Sequence, residues 1–241
     1  LNSRAVQIRG VKHVGLYGAN IRRANFPVKF DQCEGTPAAP ILIRYCKISD
    51  GGHALLHLAG YFALVGGRYG ETNYVDVRYN ELWNSGLAQN IYGEAIYLGH
   101  GTTTSSTASA YHDITIEANY IHHCSAEALD AKSGGYRVKF NDNLIADCGD
   151  SQARTGTNGN VGFPGSVQLF PPGQFGNLAG YSAQSEIMRN RFVRCTSAQR
   201  KYPSGQIVAC TRGVKIIGNA FEGCTVPGSP QINLYLEPSA T

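Results

Sequence analysis

The chain has 241 residues, enough for one elongated domain with a sizeable core or for two small domains. Only 16% of the residues are charged and the formal net charge is +4; because the lysines and arginines are scattered, nothing indicates a nucleic-acid-binding surface. No apolar run approaches the roughly 20 residues that cross a bilayer, so we expect no membrane span.

Short alternating segments recur along the chain and predict an all-β protein. Helix formers are scarce, and the abundance of Gly, Asn, Ser and Thr is typical of short strands joined by turns. One set of predicted strands is centred on Val6, Ile41, Val75, Ile114, Val138, Ile187 and Val214. A second set, interleaved with the first, is centred on Val28, Leu55, Ile96, Leu129, Val167, Ile207 and Ile232. Together they predict seven rungs of a solenoid.

The spacing of the rungs varies while the local pattern stays the same. From Ile8 through Ile43 to Ile216, the last inward residues of the first strands are 35, 34, 39, 24, 47 and 29 residues apart. Constant strands joined by loops of different length are typical of a right-handed parallel β-helix. We therefore predict a single β-helix domain over residues 1–241, either a whole protein or a fragment of a longer chain, with surface insertions at 102–110, 150–165 and 171–184.

A column of asparagines follows the first strands. Three residues after each inward position lie Val11, Cys46, Asn80, Asn119, Asn143, Asn190 and Asn219. Asparagine suits the turn of a stacked coil because it tolerates left-handed backbone and its amide can bond to the neighbouring rung. We interpret the column as a structural ladder. A β-sandwich would leave it unexplained.

A second column lies five residues beyond the asparagines and is rich in cysteine. Its members are Leu16, Gly51, Ser85, Cys124, Cys148, Cys195 and Cys224. The cysteines lack zinc-binding spacing, and rungs about 4.8 Å apart are within reach of a disulfide. Three pairs are candidates for disulfides or stacked thiols: Cys124 with Cys148, Cys195 with Cys224, and Cys33 with Cys46. Disulfides would indicate an oxidising, extracellular compartment.

The second strands divide their residues between an inward and an outward face. The inward set is Val28, Phe30, Leu56, Leu58, Ile96, Leu98, Leu129, Ala131, Val167 and Leu169. The outward set, expected to face solvent, is Lys29, Asp31, His57, Glu94, Tyr97, Glu127, Asp130, Lys132, Gln168, Phe170, Val208 and Asn233. Carboxylates, a lysine and an aromatic ring meet near the middle of the outward set. They form the best candidate site, although polar residues are expected on any outer face.

Carboxylates and a lysine on one face suit two kinds of glycan chemistry. A lyase removes the proton α to a uronate carboxylate, which requires a base and a cation that stabilises the enolate. A lysine among carboxylates holds its proton tightly, so Lys132 suits the base role only where a cation neutralises Glu127 and Asp130. A glycosidase would instead place carboxylates such as Glu94 and Glu127 across the scissile bond.

The segments GEAIYLG, DITIEANYIHHC and AEALDAKSGGYRVKFNDNLI resemble core rungs of β-helix polysaccharide lyases, the alginate and dermatan lyases similar to chondroitinase B. The resemblance covers residues 94–145. In that family, a rung of the form Glu-x-Glu-(x)3-Ser-x-Lys-Ser supplies calcium ligands and a lysine base. By position, the resemblance implies that Lys132 is the base and that Glu127 is a calcium ligand.

The chain departs from that pattern at three positions. Ser125 replaces the first calcium carboxylate, Asp130 replaces the serine, and Phe170 replaces the arginine of the next rung. Arg137 and Arg154 are candidates to take the place of that arginine. The rung resembles equally a broad group of β-helix proteins with a Glu-x-Ile-Asp-x-Lys sequence.

We therefore expect a secreted protein that binds or cleaves an acidic polysaccharide, with calcium as a candidate cofactor. The predicted catalytic residues are Lys132, Glu127 and Asp130, the predicted sugar contacts are Tyr97, Glu94, His57 and His100, and the predicted metal ligand is Glu127. The alternative is a non-catalytic module of an extracellular filament or coat. Such a module would associate head to tail through the strand edges at its ends.

Overall fold

The computed structural model describes residues 3–60, 70–87, 93–99, 111–132, 135–149, 166–169, 182–196, 206–209, 212–225 and 230–234. Within these ranges the regular structure consists of 22 strands and no helix, so none of the described segments is a helix fit to cross a membrane. The strands form three parallel sheets, A, B and C, and the chain visits B, C and A in turn. The predicted parallel β-helix is confirmed.

The strands of each sheet follow one another along the axis of the coil. Sheet A contains β1 (Arg4–Arg9), β4 (Phe26–Asp31), β7 (Leu56–Ala59), β10 (Ile96–Leu98), β13 (Leu129–Ala131), β16 (Val167–Leu169), β19 (Ile207–Ala209) and β22 (Ile232–Leu234). Sheet B contains β2 (Gly15–Tyr17), β5 (Ile41–Arg44), β8 (Thr72–Arg78), β11 (Tyr111–Glu117), β14 (Gly135–Asn141), β17 (Ser182–Met188) and β20 (Arg212–Ile217). Sheet C contains β3 (Asn20–Ala24), β6 (Lys47–Gly51), β9 (Glu81–Ser85), β12 (Tyr120–Cys124), β15 (Leu144–Ala146), β18 (Arg191–Val193) and β21 (Ala220–Glu222).

The first rung differs from the prediction. The segment that contains Ile8 is β1, which lies in sheet A and places Ile8 beside Phe30. The first strand of sheet B is instead β2, where Leu16 pairs with Ile43. An alternating segment looks the same in either sheet, so the pattern could not assign β1.

The remaining predicted rungs are confirmed. The inward residues Ile43, Val77, Ile116, Phe140, Ile187 and Ile216 are register partners along sheet B. The apolar pair after each asparagine forms a third strand, so a rung has three strands rather than two. From β4 to β16, the predicted inward residues of sheet A are fully buried. The insertions at 102–110 and 150–165 lie outside the described residues, and the end of 171–184 belongs to β17.

The asparagine column forms the predicted ladder at the corner between sheets B and C. Oδ1 of Asn119 accepts hydrogen bonds from the backbone N–H and the side-chain amide of Asn80, both at 3.0 Å. Nδ2 of Asn119 donates to the carbonyl oxygen of Val77 at 2.9 Å and to Oδ1 of Asn143 at 3.0 Å. Equivalent bonds continue to Asn219, so each rung is hydrogen-bonded to the next through side chains as well as backbone.

The corner backbone corrects two details of the prediction. The residue before each asparagine, not the asparagine itself, is left-handed, with φ of 59° at Tyr79 and 54° at Ala118. On the first rung, Ala19 takes the place predicted for Val11, because it aligns with the residue that precedes β6. Ala24, which pairs with Gly51, takes the place predicted for Leu16.

The cysteine column is present as stacked thiols. The free cysteines of the described residues are Cys33, Cys46, Cys124, Cys148, Cys195 and Cys224. The predicted disulfides are therefore wrong. The alternative of stacked thiols holds for Cys124, Cys148, Cys195 and Cys224. Parallel rungs point their Cβ atoms in the same direction, whereas a disulfide needs them to converge. Cys33 follows β4 and Cys46 follows β5, so these two lie at different corners.

Candidate functional site

The outer face of sheet A brings several predicted site residues into one column. The register pairs His57 with Tyr97 and Tyr97 with Asp130. This face was expected to be exposed to solvent, which is wrong: Lys29 is 7% exposed, His57 6% and Asp130 2%. A buried charge is costly unless it has a partner, so each charged group on this face constrains its neighbours.

Three carboxyl groups meet on this face. Glu94 and Glu127 come just before β10 and β13, and a 2.8 Å hydrogen bond from the backbone of Ala95 to the carbonyl oxygen of Glu127 keeps them level. Asp130 points outward from the middle of β13. Oxygens of Glu94, Glu127 and Asp130, which we call the carboxylate cluster, lie within 4.8 Å of one another, and all three residues are buried. No other such group of His, Cys, Asp or Glu occurs among the described residues.

Lys132 faces the carboxylate cluster as a counter-ion. Its Nζ lies 2.5 Å from Oδ2 of Asp130 and 5.3 Å from the centroid of the Tyr97 ring. A 3.0 Å hydrogen bond from its backbone N–H to the carbonyl oxygen of Leu98 fixes it just after β13. Asp130 therefore has an ion-pair partner, but a single ammonium group lies beside three carboxyl groups.

The crowding of charge shifts the pKa of three of these groups. Burial raises the pKa of Glu94 from its ordinary 4.5 to about 7, and the charge of Asp130 adds to the effect. Burial, followed by the charges of Asp130 and Glu94, raises the pKa of Glu127 well above its ordinary value. Burial acts to lower the pKa of Lys132, but the pairing with Asp130 and the other carboxylates outweighs it and raises that pKa. At neutral pH, Lys132 is therefore an ammonium, and burial favours the protonated form of Glu127.

The donor set of the cluster fits a divalent cation. In the described part of the chain, Oε2 of Glu127, Oδ1 of Asp130 and the hydroxyl of Ser125 are buried without a hydrogen-bond partner. Leaving such oxygens unpaired is costly, and carboxylate oxygens are the ligands that Ca²⁺ prefers. The sequence analysis identified Ser125 only as a departure from a family pattern and did not predict that its hydroxyl lies buried beside the carboxylates. A sign of its crowded position is Gly93, where an added Cβ would lie 2.0 Å from the Ser125 hydroxyl.

We expect the stability of the cation-free protein to fall as the pH rises from about 4.5 to about 7. Over this range the folded protein keeps the Glu94 proton that the unfolded chain releases, because the folded pKa is about 7 and the ordinary value is 4.5. The difference corresponds to about 3 kcal/mol. Urea unfolding at pH 5 and pH 8 with a chelator measures it. Glu94→Gln should reduce the fall to the part that Glu127 contributes, because burial also raises the pKa of Glu127, and Glu222→Gln, at an exposed carboxylate, should not reduce it. An equal fall in the Glu94→Gln variant would contradict this origin.

The other predicted site residues are distributed as follows. His57 donates from Nε2 to the carbonyl oxygen of Gly99 at 2.8 Å, and its ring lies edge-on to Tyr97 with centroids 4.9 Å apart. Arg137, a candidate for the family's arginine, donates two hydrogen bonds to Asp113, at 2.7 and 2.5 Å. His100, Arg154 and Phe170 lie outside the described residues. The predicted residues that the structure brings together are therefore Glu94, Glu127, Asp130, Lys132, Tyr97 and, beside Tyr97, His57.

The carboxylate spacing bears on the glycosidase alternative. An inverting glycosidase separates its two carboxyl groups by roughly 6.5–9.5 Å, to leave room for water. The oxygens of the cluster lie within 4.8 Å of one another, which is too close for that arrangement. A retaining enzyme places its carboxyl groups about 5–5.5 Å apart, but on either side of the scissile bond. Here both glutamates converge on Asp130 instead, which favours the shared binding of a cation.

Comparison with known proteins adds information on the fold. Neither a protein-family model nor a curated protein matches the sequence. The structure is similar to the crystal structure of an alginate lyase from Paenibacillus sp. str. FPU-7, with a TM-score of 0.55 and 15% identity over 95% of this chain and 76% of that one. The likeness is one of fold. At this identity the shared architecture, and not the chemistry, is what the comparison establishes.

Proposed function

We propose that this protein binds a uronate-containing polysaccharide along the outer face of sheet A and cleaves it by β-elimination at the carboxylate cluster. The observation that carries the proposal is the ammonium of Lys132, held 2.5 Å from Asp130 beside two further buried carboxyl groups. The fold shared with an alginate lyase supports the choice of an acidic glycan. Because such polymers occur outside cells, we propose an extracellular location.

The carboxylate cluster provides the cation site in this proposal. Glu94, Glu127 and Asp130 would hold a calcium ion through oxygens that include the two without hydrogen-bond partners. When bound, calcium neutralises the uronate carboxylate and stabilises the enolate that forms as the neighbouring proton leaves. The remaining roles, proton removal and contact with the sugar ring, belong to Lys132 and Tyr97.

Lys132 is the base in this proposal. The pKa of Lys132 is raised because Asp130, Glu127 and Glu94 outweigh its burial. Once their charge is compensated, burial dominates and lowers the pKa of the lysine towards neutrality. The free amine can then take the proton α to the uronate carboxylate. The electron pair of that C–H bond forms the carbon–carbon double bond as the glycosidic C–O bond at the β carbon breaks, and the leaving oxygen takes a proton from water. Tyr97, whose ring lies against Nζ of Lys132, offers an aromatic surface to the sugar ring.

The test is the ultraviolet absorbance of unsaturated uronate, with alginate, pectate, glucuronan and glycosaminoglycans as substrates, in calcium or in chelator. We expect product from at least one polymer, and only with calcium. Calcium at a hundredfold excess over its Kd should also stabilise the folded protein by about 2.7 kcal/mol, seen as a rise in Tm. The variant Glu94→Gln/Glu127→Gln should lose both effects. Absence of product across the panel would overturn the proposed activity, and an unchanged Tm would overturn the cation site.

A further inference from the structure

A second surface with the features of a binding site lies at the corner between sheets B and C. Tyr45, Tyr79 and Tyr120 line an open groove there with a volume of about 570 Å³, which we call the corner groove. That volume lies within the range of roughly 300–1,000 Å³ found for small-molecule sites. In a three-sided coil the corner between B and C points away from sheet A, so the corner groove is separate from the carboxylate cluster.

One wall of the corner groove is a stack of tyrosine rings. Tyr45 and Tyr79 occupy the left-handed corner position on successive rungs, with φ of 58° and 59°. Their rings are stacked with centroids 5.3 Å apart and planes 13° from parallel. The next residue of the column is Ala118, which has no ring, so the stack ends and the second face of Tyr79 borders the groove.

The other wall combines an aromatic ring with charged groups. Lys47, Glu81 and Tyr120 are register partners on β6, β9 and β12. Nζ of Lys47 lies 3.4 Å from Oε2 of Glu81, so both charged groups border the groove beside the rings. Tyr120 stacks on His122, with centroids 4.2 Å apart. The corner groove therefore offers apolar ring surface together with donors and acceptors of hydrogen bonds.

The fold does not require tyrosines at this corner. Other rungs place Gly18, Ala118, Asp142, Arg189 and Gly218 at the same left-handed position. A bulky residue is disfavoured in that conformation. Tyr45 is nevertheless 60% exposed and Tyr79 is 49% exposed, so their rings add little to the core. A contiguous exposed aromatic patch on a soluble domain typically marks a binding surface.

We propose that the corner groove is a second carbohydrate site, which binds the pyranose rings of an oligosaccharide. A pyranose has an apolar C–H face that can stack on tyrosine and a rim of hydroxyl groups that can bond to Lys47 and Glu81. The site does not depend on cleavage at sheet A. A polymer held at the corner groove would keep the protein on its substrate while other segments reach the carboxylate cluster.

The chain's single tryptophan provides a local reporter of this site. Trp83 stacks on His122, the ring that Tyr120 also contacts, with centroids 5.8 Å apart and planes 5° apart. Its fluorescence should therefore respond to a ligand that contacts Tyr120. Because Trp83 belongs to sheet C, a ligand at the carboxylate cluster should leave it unchanged.

The experiment titrates the Lys132→Arg variant, in chelator, with hexasaccharides from alginate, pectate and cellulose while Trp83 fluorescence is recorded. We expect a saturable change with at least one of them. Tyr79→Ala should weaken that binding at least tenfold, whereas Tyr17→Ala, at an exposed tyrosine outside the groove, should leave it unchanged. No saturable change with any hexasaccharide, or equal affinity in the Tyr79→Ala protein, would overturn the proposal. Neither result depends on β-elimination, so the two proposals can fail separately.

Discussion

Replacing Lys132 with methionine is expected to reduce β-elimination by about a thousandfold, the scale on which a positioned base contributes. Lys132→Arg should be equally inactive, because the guanidinium keeps the positive charge beside Asp130 but cannot give up its proton. The initial rate of unsaturated uronate formation on the best polymer of the panel measures both. The matched control is Lys139→Met, at an exposed lysine of sheet B that lies in the same rung.

The arginine variant separates a base from a simple counter-ion. If Lys132 only neutralises charge, Lys132→Arg should keep most of the activity, and the proposed role would be wrong. Lys132→Met also leaves Asp130 as a buried group without its 2.5 Å partner, which can cost about 3–5 kcal/mol of stability. Lys132→Met/Asp130→Asn removes both charged partners, so no unpaired charge stays buried. If this variant is folded and still inactive, the lost activity comes from the missing base and not from unfolding.

The largest effect on stability is expected at the middle of the asparagine ladder. Asn119→Ala removes the acceptor of the backbone N–H and the amide of Asn80, at 3.0 Å each, and the donor to Val77. Each buried group left without a partner costs about 1–3 kcal/mol, so for three groups we expect a loss of at least about 3 kcal/mol. Guanidinium unfolding, with the midpoint followed by circular dichroism, measures it.

The control for the ladder is Asn20→Ala, at an exposed asparagine of β3. A surface substitution of this kind is expected to change stability by less than about 0.5 kcal/mol. Equal midpoints for the two variants would mean that the ladder follows from the stacking of the rungs and does not help to hold them together.

Most of the fold could be predicted because its signals are local. Alternation fixes which side of a strand each residue takes, and a recurrent asparagine fixes where the next strand begins. These two signals located the strands of sheets A and B from Ile43 onward, but not the short strands of sheet C. They failed at Ile8, because nothing in an isolated strand tells which of three sheets it joins. The disulfides were wrong for a different reason: spacing predicts how far apart two cysteines lie, but not the direction in which their side chains point.

The composition of the candidate site could be predicted, but its environment could not. Stacking in register was enough to bring Glu94, Glu127, Asp130 and Lys132 together. Alternation predicts which face of a sheet a residue occupies, but it does not predict whether that face is buried. The burial that raises the pKa of Glu94 to about 7 was therefore beyond the sequence pattern. The corner groove was missed because Tyr45 and Tyr79 belong to turns, where period-two patterns end.

The unequal rungs divide the molecule into a constant and an adjustable part. The rung from Asn119 to Asn143 takes 24 residues, against 39 for the rung before it and 47 for the rung after it. Glu127, Asp130 and Lys132 all belong to this shortest rung, where an added residue would shift one side chain against another. The turns of the neighbouring rungs can change in length without changing the relative positions of these three side chains. Under the proposed function, specificity for different glycans can thus change in these turns while Glu127, Asp130 and Lys132 stay in place.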